Sequence, residues 1–251
     1  MHEAAYAALG LEGWRYQKLP VPPDVFAETV RALPGAGFAG ASVTIPHKAS
    51  AAALADELTA AAREIGAASS LTFTDGRILA DNTDAPGFIA ALSDALPGAS
   101  PATAHSSALV LGAGGGARAI VWALRQAGAD VMVWNRTASR AQALCADLGA
   151  RTVAGAEPAD ILVNATAVGL GGRGDTFAQL PLAPEDLAGY RCVADLVYGE
   201  GDTELIAAAR RQGAVVVDGL EVLVRQGAVS FEAWTGRAAP LDVMRAAVRG
   251  N

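Results

Sequence analysis

The chain has 251 residues, room for one large domain or two small ones, and 52% of them are hydrophobic, ample for a packed core. A formal net charge of −7 with no basic tract argues against a nucleic-acid or anionic-membrane partner, while a locally basic site for a small acidic metabolite remains open. No apolar run reaches the ~18 residues of a membrane span, the start lacks a charged-then-apolar leader pattern, and Cys145 and Cys192 show no metal-ligand spacing, so a cytoplasmic protein with buried free thiols is expected.

In chain order, residues 2–11 read as a helix stopped by Gly10 and Gly13, and residues 14–19 alternate as a strand would before the prolines at 20, 22 and 23. Asp24 is the expected cap of a helix through Leu33, followed by a short strand over 40–45 that Pro46 ends because it cannot donate to a ladder. A helix over 50–58, a second helical piece to Ile65, and a hairpin (70–74 with 78–80) around Asp75-Gly76 complete a first α/β half. A helix over 86–96 leads to Pro97-Gly98-Ala99-Ser100-Pro101, the strongest linker signal. Strands at 108–111, 131–134, 161–164, 192–196 and 215–217 then alternate with helical patterns, which predicts a Rossmann-type doubly wound parallel sheet beside the smaller α/β domain.

The richest stretch is Leu109 to Ala119. An apolar strand feeds Gly112-Ala113-Gly114-Gly115-Gly116-Ala117, and a helix follows at once, the context that gives a G-x-G-x-x-G/A pattern meaning. Gly112 permits the tight turn, Gly114 lets backbone approach a pyrophosphate, and small Ala117 lets helix and strand pack closely, with the helix N-terminus aimed at the phosphates. The next strand ends at Trp134, where an acid would meet a ribose 2′-hydroxyl. The chain instead reads Asn135-Arg136-Thr137-Ala138-Ser139-Arg140, and two guanidiniums with a hydroxyl suit a 2′-phosphate, which indicates NADP. A glycine turn followed by a solvated Arg pair is the plainer alternative.

Two residues of the first half look chemical. The chain has only two lysines, Lys18 and Lys48, and Lys48 lies just after a strand and beside a helix start, where the dipole disfavours a cation by several tenths of a kcal/mol and eases loss of its proton. A surface Lys on a solvated first turn is the alternative. Asp84 stands two residues before a Pro-initiated helix, so it reads equally as an N-cap and as a site residue.

Val43-Thr44-Ile45-Pro46-His47-Lys48, Asn82-Thr83-Asp84-Ala85-Pro86-Gly87-Phe88, the glycine loop to Ala119, Asn135-Arg136-Thr137, Asn164-Ala165-Thr166-Ala167-Val168-Gly169, Asp195-Leu196-Val197-Tyr198 and the run from Gly219 to Ala228 resemble successive motifs of the shikimate dehydrogenase family, in its order and spacing. The resemblance implies NADP-dependent, reversible reduction of 3-dehydroshikimate to shikimate. It also implies a substrate domain over 1–85, an NADP-binding domain over 86–219, and C-terminal helices over 220–251 that return to the substrate domain. Under it Lys48 is the proton donor and Asp84 orients Lys48 and the reacting hydroxyl. Thr44, Ser69, Tyr198 and Gln226 face the substrate, Thr166 and Gly219 lie at the nicotinamide end, and Gly112, Gly114, Gly115, Gly116, Ala117, Asn135, Arg136, Thr137 and Arg140 hold the rest of the cofactor. No metal is implied, and the protein is expected as a monomer or homodimer.

Departures accompany the match. The family opens with a strand and a Ser-x-Ser loop that resembles a carboxylate clamp, and Met1-His2-Glu3 aligns just after them, so that segment is expected to be missing. The family's usual Ala-Val-Asn-Thr reads Ala67-Ala68-Ser69-Ser70, and Ser42 stands where many members have Asn. A relative acting on quinate or another hydroxylated ring acid is therefore a second expectation, and a non-catalytic nucleotide-binding relative a third, opposed by the intact Lys48 and Asp84.

Overall fold

The structure is a computed structural model that describes residues 1–97, 105–172 and 175–250. The chain divides into two compact units, Met1–Gly87 with Leu223–Asn251, and Phe88–Val222. Both boundaries fall inside helices. Of the linker signal at 97–101, all but Pro97 lies outside the described residues.

The first unit begins with helix α1 (His2–Ala8), and Gly10 at φ 66 turns the chain away from it. Residues 14–19 do not form the expected strand, because no ladder partner lies beside them among the described residues. Their alternation has another cause: Trp14 packs on Tyr6 and Tyr16 stacks on His2, with ring centroids 5.6 and 4.4 Å apart. A single-turn 3₁₀ segment (Pro23–Val25) precedes helix α2 (Phe26–Ala32), so Asp24 sits inside that turn and neither element has a side-chain cap hydrogen bond.

Strand β1 (Gly40–Ser42) ends earlier than expected because the chain turns at once, His47 N–H donating to the Thr44 carbonyl at 2.9 Å. Helix α3 (Lys48–Leu54) stops short of 58 because Glu57–Leu58 forms strand β2, paired parallel with a later strand. Helix α4 (Ala60–Ile65) is capped by the Thr59 hydroxyl and closed by Gly66 at φ 70. The hairpin of β3 (Ser70–Thr74) and β4 (Arg77–Asp81) turns at Asp75 and Gly76, both at positive φ as a type I′ turn requires. The sheet runs β1-β3-β4-β2 around a core that includes Phe26, Val30, Leu71 and Ile78. The outer edge of β1 borders a cavity of about 510 Å³ lined by residues that include Tyr16, Leu19, Ser42, Thr44 and Trp234.

Helix α5 (Asp84–Ala95) crosses into the second unit. There β5 (Ser107–Leu111), α6 (Gly115–Gln126), β6 (Asp130–Trp134), α7 (Ala138–Leu148), β7 (Arg151–Thr152), β8 (Ile161–Asn164), α8 (Thr176–Gln179), β9 (Cys192–Asp195), α9 (Glu204–Arg211) and β10 (Val215–Val217) alternate. The six strands are parallel in the order β10-β9-β8-β5-β6-β7, a doubly wound sheet whose order reverses at β5 and β8. Residues 108–111 are wholly buried, as a central strand covered by helices on both faces must be. Cys145 and Cys192 are free and buried, and burial pushes the Cys192 thiol up to about 12.

The chain closes with α10 (Gly219–Thr235) and α11 (Leu241–Arg249). From Leu223 onward they belong to the first unit, where Val224, Ala228, Phe231 and Met244 share a buried cluster with Ala5 and Tyr6 of α1. Among the described residues no helix is long and apolar enough to cross a membrane.

Candidate active site

Lys48 is the first residue of α3, and its Nζ forms an ion pair with Asp84 Oδ2 on α5, both side chains 14% exposed. A cation at a helix N-terminus is held against the dipole only when something compensates it, and here that is one carboxylate in a partly dehydrated setting. His47 fixes the start of the helix: its ring stacks on Phe26 at 4.3 Å and its Nε2 lies 2.8 Å from the Val21 carbonyl. The cap reading of Asp84 is overturned. Asn82 Oδ1 accepts the Ala85 N–H at 3.2 Å, so capping falls to Asn82 and the Asp84 carboxylate is free to serve Lys48.

Ser69, expected to face the substrate, is 2% exposed and committed to the backbone instead. Its Oγ accepts the N–H groups of Thr83 and Asp84 at 2.8 and 3.3 Å. A hydroxyl too short to reach outward is well matched to holding the turn that presents Asp84. The Thr83 hydroxyl lies within 3.4 Å of Ser69 Oγ, Gln226 Oε1 and Ser230 Oγ, which ties this turn to α10. Gln226 also donates from Nε2 to the Leu223 carbonyl at 3.0 Å, so its amide is braced at both ends. A Cβ on Gly87 would lie 2.6 Å from the Gln226 backbone nitrogen; only glycine allows that approach. Thr44 is exposed beside β1, with no hydrogen bond from its hydroxyl among the described residues.

In the second unit, Gly112 sits at φ 116 with its would-be Cβ 2.8 Å from the Ala165 carbonyl, so both backbone angle and space demand glycine. Gly114 caps α6, and nothing lies within 4 Å of a Cβ built there. Gly115, Gly116 and Ala117 form the first turn, which holds no acid and offers free N–H groups to an anion. Ala117 is fully buried against the sheet. Past β6, Asn135 Nδ2 donates to the Thr137 carbonyl at 2.9 Å and shapes the turn. Arg136, Thr137 and Arg140 are exposed, and neither guanidinium is ion-paired among the described residues. An open glycine loop at a helix N-terminus with two uncommitted guanidiniums beyond the neighbouring strand fits a dinucleotide carrying an extra phosphate.

Thr166, Tyr198 and Gly219 follow the C-terminal ends of β8, β9 and β10. Thr166 donates its hydroxyl to Asn164 Oδ1 at 2.7 Å, and Val168 N–H donates back to it at 3.0 Å. Tyr198 is 46% exposed. A Cβ on Gly219 would lie 2.6 Å from the Val197 carbonyl. Sequence reasoning singled out neither Asn82, Thr83 and Ser230 nor the buried pair Asn164 and Asp195 as individual residues. Polar residues closing wholly apolar strands, Asn164 after Ile161-Leu162-Val163 and Asp195 after Cys192-Val193-Ala194, were the available signal. Among the described residues no cluster of His, Cys, Asp or Glu could hold a metal ion.

A doubly wound nucleotide-type sheet, joined to a second α/β unit that carries a Lys–Asp pair, defines a two-domain nucleotide-dependent oxidoreductase. Profiles described as the shikimate dehydrogenase substrate binding domain, shikimate/quinate 5-dehydrogenase and the shikimate 5'-dehydrogenase C-terminal domain match residues 1–71, 98–168 and 219–249. The shikimate dehydrogenase (NADP(+)) of Methylobacterium radiotolerans is 47% identical over 246 residues, covering 94% of this chain and 86% of the relative. The crystal structure of shikimate 5-dehydrogenase from Thermus thermophilus with NADP(H) and shikimate has a TM-score of 0.88 at 37% identity, covering 99% of this chain and 92% of that one. The ligand-free 5-ketofructose reductase of Gluconobacter sp. strain CHM43 has a TM-score of 0.85 at 30% identity, covering 99% and 91%. The chain belongs to the shikimate dehydrogenase family.

Proposed function

We propose that this chain catalyses the NADP-dependent, reversible reduction of 3-dehydroshikimate to shikimate. The observation that carries the reading is the partly buried ion pair of Lys48 and Asp84, set by Asn82, Ser69 and His47 in a chain whose other unit has the open glycine loop and free guanidiniums of an NADP site. When bound, the nicotinamide supplies the hydride. Lys48 Nζ gives its proton to the carbonyl oxygen as that oxygen gains charge, and takes one from the hydroxyl in the reverse direction. Asp84 keeps the ammonium aimed and compensates its charge. Thr44, Gln226 and Tyr198 hydrogen-bond the substrate, Ser69 acts through the turn it holds, and Thr166 and Gly219 line the nicotinamide end. The loop from Gly112 to Ala117 takes the pyrophosphate, while Arg136, Thr137 and Arg140 take the 2′-phosphate from the turn that Asn135 shapes.

A second reading, a related hydroxylated ring acid such as quinate, draws support from Ser69: an Asn side chain that reached a ring hydroxyl would be absent here, and the Ser69 hydroxyl is turned inward. Steady-state kinetics with shikimate and quinate, each with NADP and NAD, test both. Shikimate with NADP is expected to have the highest kcat/KM, and a preference for quinate would replace the first reading with the second. The protein is expected to work in the cytoplasm as a monomer or homodimer, without nucleic acid.

A further inference from the structure

The carboxylate of Asp195 is 1% exposed and stands at the exit of β9, where it gathers three donors from three segments. Oδ1 accepts from Asn164 Nδ2 at 2.9 Å and from Val197 N–H at 3.0 Å, and Oδ2 accepts from the Thr203 hydroxyl at 2.6 Å. Each donor leads onward. Asn164 Oδ1 accepts the N–H and the hydroxyl of Thr166 at 3.1 and 2.7 Å, and its Nδ2 also lies 3.2 Å from the Val168 carbonyl. Thr203 caps α9 by accepting Ile206 N–H at 3.2 Å. One buried acceptor thus ties the exit of β8, the exit of β9 and the start of α9.

Between the two ends of this clamp runs the segment 196–202, which lies outside the strands and carries an isolated bridge between Gly199 and Gly201. Leu196 N–H donates to the Asn164 carbonyl at 2.9 Å, and Val197 abuts Gly219 too closely for any Cβ there. Tyr198 is the next residue, half-exposed and with no hydrogen bond from its hydroxyl among the described residues. A buried carboxylate with three donors is costly unless its acceptor geometry serves a purpose, because a neutral side chain would avoid the desolvation.

We propose that Asp195 is a positioning residue for the reaction: by clamping Asn164, Val197 and Thr203 it fixes the turns that present Tyr198 and Thr166 to the reacting groups. This rests on the reading that Tyr198 binds substrate. Asp195→Ala is expected to raise the KM for shikimate about tenfold with kcat changed less, and to have under about twofold effect in a Tyr198→Phe background, the non-additivity expected of residues acting through one contact. Asp195→Asn, which keeps Oδ1 as an acceptor and can turn Nδ2 toward the Thr203 hydroxyl, should recover most of the loss. The same increase in KM with and without the Tyr198 hydroxyl, or none at all, would overturn the proposal. Amide exchange over 196–202 reads the clamp without turnover, and at least about tenfold faster exchange is expected in Asp195→Ala. Unchanged exchange overturns the clamp, whereas faster exchange in an enzyme that fails to turn over shikimate as wild type overturns only the functional reading. If Asp195→Ala does not fold, Thr203→Val removes one donor and is expected to show the same pattern at smaller size.

Discussion

The two sheets are built on different principles. In the second unit every strand is parallel, the central ones are buried on both faces, and their sequences are continuous apolar runs such as Leu109-Val110-Leu111 and Ile161-Leu162-Val163. In the first unit the sheet is mixed, its strands have two to five residues, and β1 is partly exposed along its whole length beside a cavity. A sheet covered by helices on both sides specifies itself through hydrophobic content, whereas a small mixed sheet depends on turns, caps and side-chain ties such as those of Thr59, Ser69 and Asn82. The difference suits the proposed roles. In the proposed reading the parallel sheet carries the glycine loop and the guanidiniums that take the cofactor, and the tied turns carry the one proton donor.

If the roles divide this way, changes in one unit should leave the other's measurement untouched. Lys48→Ala should lower kcat by roughly 10²–10⁴ with little change in KM or in NADPH affinity, as removal of a positioned acid does. Near-normal turnover would remove Lys48 from the chemistry. Asp84→Asn should lower kcat by a smaller factor with melting temperature nearly unchanged, because the helix cap belongs to Asn82. Asn82→Ala is the complement. It loses a cap and leaves the buried Ala67 carbonyl without its 2.9 Å partner, for about 1–3 kcal/mol of stability. A melting temperature that falls with Asp84→Asn and not with Asn82→Ala would reverse the two assignments.

On the nucleotide side, Arg136→Ala should weaken NADP(H) roughly ten- to hundredfold, the loss of one charge-assisted phosphate contact, and barely alter NAD(H). Titration by fluorescence with both cofactors decides it. Equal losses for the two would mean that Arg136 supports the fold rather than reading the phosphate.

How much was legible follows the same division. The five strands of the second unit with continuous apolar runs were readable within a residue or so, and the two-residue β7 was not, since so short a piece carries no period. In the first unit the alternation at 14–19 predicted a strand where aromatic packing against His2 and Tyr6 is the cause, and Glu57–Leu58 was read as helix although pairing with β4 makes it strand. Tertiary partners overrode local pattern in both cases. Lys48 and Asp84 stood out because position made them odd, but their contact spans 36 residues, and a sequence pattern gives no distance. The inward turn of Ser69 and the three-way clamp at Asp195 depend on which backbone groups lie nearby, which no motif records.

The smallest expected effect separates the units by sign. Burial pushes the His2 imidazole down to about 4, helped by the N-terminal charge, and neither ring nitrogen has a hydrogen-bond partner among the described residues. The unfolded chain therefore takes up a proton near 6.5 that the folded first unit refuses until about 4, so its stability falls as pH is lowered through that window. Burial pushes Asp195 the other way, up to about 6 against an ordinary 3.8, with its three hydrogen bonds opposing the rise. There the folded state holds the extra proton between those values, so the second unit gains stability as pH falls toward about 4. Amide exchange from pH 7 to 5, corrected for intrinsic rates, should show protection falling in α1 and α10 and holding or rising around β8 and β9. His2→Phe, which fills the same aromatic cluster without a titrating group, should flatten the first trend, and Asp195→Asn the second. Parallel slopes in both units, surviving in both variants, would place the pH dependence on other groups and remove this distinction between the two halves.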